Sequence, residues 1–146
     1  MKRLLFLLLA CISLLLTACG QAAQPRTAEM DGWTLTDRWP DNEWTQQIPE
    51  PKAGQVYATT QGRSAGYDFY VIQLNGLTRQ EIGDYIQALE DQGYGSISDR
   101  AGLDLSSSGV AVGELFSRDD IYVSLSSSDQ ETDNTLGLYL ARPEDQ

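Results

Sequence analysis

Asp129, Glu131 and Asp133 stand at alternate positions in SSSDQETDN, residues 126 to 134, and hard carboxylate oxygens at that spacing can ligate calcium. A calcium loop of that kind wants glycine at its sixth position and a bidentate glutamate at its twelfth. Counted from Asp129 those positions hold Asn134 and Leu140, so the plain reading is a solvated hairpin loop with three weak calcium candidates. Asp119 and Asp120 follow Ser117-Arg118 in a tight link, where turn chemistry accounts for them. The serine runs 106 to 108 and 126 to 128 have no S-x-x-K lysine beside them and no base to activate them. The chain contains no histidine, which excludes Ser-His-Asp and Cys-His catalysis and histidine-ligated zinc. No catalytic residue, metal or cofactor is assigned.

One residue does carry a chemical role. Met1-Lys2-Arg3 supplies two positive charges, and Leu4 to Leu16 follow without a charged side chain. This is the basic and apolar start of a secretory signal, shorter than the roughly 20 apolar residues of a permanent membrane span. Leu16-Thr17-Ala18-Cys19 then resembles the bacterial lipobox, in which the cysteine thiol takes diacylglycerol and the signal is cut just before it. The resemblance makes Cys19 the lipid attachment residue, and two acyl chains suffice to hold a protein on a bilayer. It also implies an extracytoplasmic protein on the cell membrane. Gly20 stands where an aspartate would signal inner-membrane retention, so the outer membrane stays open for a host with two.

Removal of residues 1 to 18 leaves eight basic residues against 21 acidic ones, a net charge of −13 (8 − 21). Such a body repels nucleic acid and anionic membrane surfaces. Cys11 leaves with the signal and Cys19 is lipidated, so no disulfide is expected and the core must hold the domain. Lys52 is the sole lysine of the processed chain.

The chemistry has to be positioned by what lies downstream. Residues 19 to 37 read as a lipidated N-terminus and polar tether, with Trp33 and Leu35 able to dock on the body, and residues 38 to 146 as one domain. RWPDNEWTQQIPEPKAG, residues 38 to 54, is proline-rich irregular chain. Its Trp39, Trp44 and Ile48 read as a strap packed on the domain edge, the alternative being exposed indoles that stack on sugar rings.

Thr78 and Glu81 form a capping box, and Ile82, Tyr85, Ile86 and Leu89 recur at helical spacing. Gly93 supplies a left-handed stop, with Tyr94 folding back on Leu89. Strands are expected at 55 to 60, 67 to 74, 109 to 116, 120 to 127 and 135 to 141, with a weaker one within 96 to 105. Alternation turns Ile121, Val123, Leu125, Leu136, Leu138 and Leu140 inward. It points Tyr70, Ile72 and Leu74 one way with Phe69 and Val71 the other, as in a central strand, and puts Val110, Val112 and Phe116 on one face, with Glu114 interrupting it. The expected fold is α+β: one antiparallel sheet of about five or six strands in ββαβββ order, with a single amphipathic helix on one face. Serine, glycine and tyrosine would line the other face.

Trp39-Pro40, Ile48-Pro49-Glu50-Pro51, Gly54 and the Thr78-to-Tyr94 helix with its terminal Gly-Tyr resemble small lipoproteins of unknown function from Gram-positive gut bacteria. The resemblance covers residues 38 to about 141. It implies a surface-anchored domain and transfers no functional site.

Trp39, Trp44, Tyr122 and Tyr139 are the candidate contact residues, because a tyrosine-dotted sheet face or a tryptophan strap can bind through stacking and hydrogen bonds. The sequence therefore points to a non-enzymatic, lipid-anchored envelope module that contacts another envelope component, a protein or a glycan. A small-ligand or glycan receptor is the alternative, and a carboxylate-dependent hydrolase is third.

Overall fold

The computed structural model describes residues 28–30, 32–97, 111–128 and 130–144. Cys19 and the signal segment, Asp129, Val110 and most of the weak strand expected within 96 to 105 lie outside them. Among the described residues the chain forms one antiparallel sheet of eight strands and one α-helix. The strands are β1 (Ala28–Met30), β2 (Trp33–Leu35), β3 (Gln55–Ser64), β4 (Tyr67–Leu77), β5 (Gly95–Ser96), β6 (Ala111–Arg118), β7 (Ile121–Ser128) and β8 (Asn134–Pro143). They lie in the order β1-β2-β3-β4-β8-β7-β6-β5, and the helix α1 (Arg79–Asp91) falls between β4 and β5 in the chain.

The α+β class with one sheet and one helix is as expected, but the strands number eight, against the five or six of the ββαβββ reading. Two of the additions come from the stretch read as tether. Gly32, at a φ of +84°, turns β1 back on β2, and Thr34 and Leu35 pair with Thr59 and Ala58 of β3. The Thr60 hydroxyl donates to the Gly32 carbonyl at 2.7 Å and ties that hairpin down. Three residues per strand are too few for a periodic signal to register.

Register explains why one face became core. Tyr70, Leu140, Val123 and Phe116 align across β4, β8, β7 and β6, and Ile72, Leu138 and Leu125 form the next row. Leu74 and Leu136 follow. All are buried, with Ile72, Phe116, Val123, Leu136, Leu138 and Leu140 at 0% exposure. The helix packs Ile82, Tyr85 and Leu89 on these rows. Its ends are fixed as the sequence implies: Glu81 N–H donates to the Thr78 hydroxyl, and the Thr78 N–H donates to the Glu81 carboxylate at 2.8 Å. Tyr94 N–H to Leu89 O and Gly93 N–H to Glu90 O close a Schellman turn, with Gly93 at a φ of +90°.

The strap covers the rest of the same face. Asn42 Oδ1 accepts from the Trp44 and Thr45 amides and starts a 3-10 turn over Thr45–Gln47. Trp44 then stacks on Tyr70, with ring centres 6.4 Å apart and planes 11° from parallel. Arg142 lies 4.5 Å over the indole and forks onto Glu43. At the other end Arg118 sits 4.5 Å over Tyr94, and both Arg118 and the Tyr94 hydroxyl donate to the Gln47 carbonyl. Strap, helix and sheet share one core.

Candidate functional site: the helix-free face of the sheet

With α1 and the strap on one side, the alternate residues of the strands face the other. Phe69 aligns with Gly62, Ala141 and, through Ala141, with Tyr122. Val71 aligns with Thr60 and Tyr139, and Tyr139 with Ser124. Gln73 aligns with Ala58 and Gly137, and Gly137 with Ser126.

Aromatic rings group at one end of this face. Phe69 and Tyr139 stack with centres 5.3 Å apart and planes 22° from parallel, and Tyr67 meets Tyr122 edge-on at 6.2 Å. Phe69 has room to lean because residue 62 is glycine: a Cβ there would come within 2.9 Å of the ring tip. Tyr67 and Tyr139 are each 39% exposed. Next along the strands, a Cβ on Gly137 would lie 2.8 Å from Ser126 Oγ and 3.1 Å from Gln73 Nε2. The hydroxyl and the amide therefore converge over a glycine floor.

The charged residues of strands β3 to β8 are confined to one of the two faces. Strands β3 to β8 carry five charged residues: Arg63, Asp68, Glu114, Arg118 and Arg142. By register Arg63, Asp68 and Arg142 share a row one step from Phe69, Glu114 aligns with Leu125, and Arg118 with Ile121. All five are on the side of the helix and strap. The open face is formally uncharged from β3 to β6.

The candidate contact residues divide accordingly. Tyr122 and Tyr139 lie together on the open face. Trp44 is 6% exposed and belongs to the core between Tyr70 and Arg142, so it is not available as a contact residue. Trp39 packs partly buried against that core, on a shallow cleft it shares with Asp37, Asp41 and Glu50. Of the calcium candidates, Glu131 accepts from Arg79 Nη1 at 2.8 Å, and Asp133 adopts a φ of +60° at the loop end. Among the described residues no cluster of three or more acidic or thiol side chains could hold a metal ion. The loop is organised instead by Asn134, 0% exposed, whose Oδ1 accepts from the Gln130 amide and the Ser128 hydroxyl. Its Nδ2 donates to the Leu77 and Gln130 carbonyls.

Gly62-Arg63-Ser64-Ala65-Gly66 spells G-x-S-x-G, which in hydrolases sets a serine on a strand-to-helix turn. Here the stretch ends β3 and turns directly into β4, with Ala65 and Gly66 both at positive φ as a two-residue hairpin requires. Without a histidine in the chain, Ser64 has no base of that kind.

Tyr85 is a different kind of oddity. Its hydroxyl is buried and has no hydrogen-bond partner among the described residues. Burial, and after it the neighbouring Tyr94 phenol, push its pKa far above the ordinary tyrosine value. Burial also raises Tyr94, with Arg118 pulling the other way.

Gln73, Ser126 and Phe69 were not singled out as site residues from sequence. The signal lay in the register, which brings them beside Gly137 and Gly62, and register is a pairing between distant segments. No protein-family model, curated protein or solved structure matches the chain.

Proposed function

We propose that this protein is a non-enzymatic binding module, held outside the cytoplasm by lipid on Cys19, and that the helix-free sheet face is its contact surface. The observation that supports this most is the segregation of charge. A sheet face left to water ordinarily takes the polar and charged residues of its strands. This face has none of the charged ones, and carries two aromatic pairs instead.

A site-directed cross-link tests it. The processed chain has no cysteine except Cys19, so Ser124→Cys places a photo-reactive maleimide in the middle of the face, and Gln80→Cys places one on the exposed side of α1. On intact cells, adducts should form from position 124 and not from position 80, and Tyr139→Ala should abolish them while the unfolding midpoint stays within a few degrees. Equal adducts from both positions would remove the face from consideration.

A further inference from the structure

We propose that the ligand class of this face is an uncharged glycan, an inference that rests on reading the face as the contact surface. Charge narrows the field first. In a chain of net charge −11, five of five charged residues on strands β3 to β8 fall on the covered side. A charged polymer, a phosphorylated ligand or a cation would find no counter-charge on the open side, whereas recognition of such partners works through complementary charge.

Composition narrows it again. Protein interfaces favour arginine and bulky apolar residues at their centre and are depleted in serine. The centre here is Gln73 and Ser126 over Gly137, flanked by Ser124 and Thr60. Gln73 is half-buried and Ser126 exposed, so an amide and a hydroxyl reach the surface at the centre of this face. A neutral sugar chain matches both halves of this surface. Its C–H faces lie on aromatic rings such as Tyr139 and Tyr67, and its hydroxyls both donate and accept, as glutamine and serine side chains do. The dimensions suit an extended chain: the rows from Tyr67 to Gln73 and the five strands from β3 to β6 each span about 20 Å.

The test is electrophoresis of the detergent-solubilised full chain through native gels holding soluble neutral polysaccharides (a cellulose-type glucan, a starch-type glucan, a mannan and a xylan), with polygalacturonate as the charged control. At least one neutral polymer should retard the protein and polygalacturonate should not. Tyr139→Ala should weaken retardation about tenfold, the scale of one good stacking contact, and Gln73→Ala should weaken it independently. Affinity measured in free solution should change little between about 0.01 M and 1 M ionic strength, because no charge pair is screened. No retardation by any neutral polymer overturns the assignment, as does retardation that Tyr139→Ala leaves intact. If the glycans fail while position 124 still cross-links to a protein or to a second copy of this chain, the contact surface stands and only its ligand class is wrong. If both fail, the surface itself is wrong.

Discussion

Asn134 is the residue whose loss should be felt most. Its four hydrogen bonds tie the β7–β8 loop to the end of β4, and the Asn134 side chain that makes them is fully buried. Asn134→Ala strands the Leu77 carbonyl and the Gln130 amide, and should cost about 2–3 kcal/mol in chemical denaturation. Tyr85 predicts the reverse. Its hydroxyl is desolvated without return, so Tyr85→Phe should leave stability unchanged or raise it by about 1 kcal/mol. The same residue sets an alkaline limit. A phenol whose folded pKa is raised stays protonated in the native state while the unfolded chain ionises. Its contribution is therefore whole below about pH 10 and is lost as pH rises beyond that. Tyr85→Phe should flatten the fall in unfolding free energy above pH 10, measured by urea titration at stepped pH.

Among the elements, α1 was the most legible from sequence and β1 and β2 the least. Helix ends are specified by neighbours in the chain: Thr78 caps through Glu81, and Gly93 stops the helix through Tyr94, all within a few residues. Thr78→Ala should cost about 1 kcal/mol, read as a lower denaturant midpoint with an unchanged slope. The long strands were legible because alternation runs through them, and the residues it set together on one face from Tyr70 to Leu140 are buried wherever those side chains are described, except for half-buried Ile121. The gap expected between the strands at 55 to 60 and 67 to 74 proved shorter, since β3 runs on to Ser64 and only Ala65 and Gly66 turn. What no local signal could supply was which strands adjoin. The β4–β8 pairing joins residues more than fifty positions apart, and it is this pairing that puts Phe69 against Tyr139 and Gln73 over Gly137. Serine, glycine and tyrosine on the helix-free face were expected from alternation; their arrangement into a ring cluster beside a polar floor was not.

At the scale of the whole molecule, the split between a charged, covered side and an uncharged, open side is the property that composition conceals. A net charge of −11 describes the sum and says nothing about where charge is absent. The proposed lipid attachment is the second property at this scale. Cys19→Ala should move the protein from the membrane fraction to the soluble fraction, and a variant that stayed membrane-bound would defeat the lipid reading.

The hairpin of β1 and β2 bears on that attachment in a way that is purely mechanical. By folding residues 28 to 35 into the sheet, the chain draws in its own leash. Only nine Cα-to-Cα steps separate Cys19 from Ala28, a reach of at most about 30 Å. A lipid on Cys19 would thus keep the β1 edge within one domain diameter of the bilayer. The body could swivel there but not roam, and whatever it holds would be held at the membrane's doorstep.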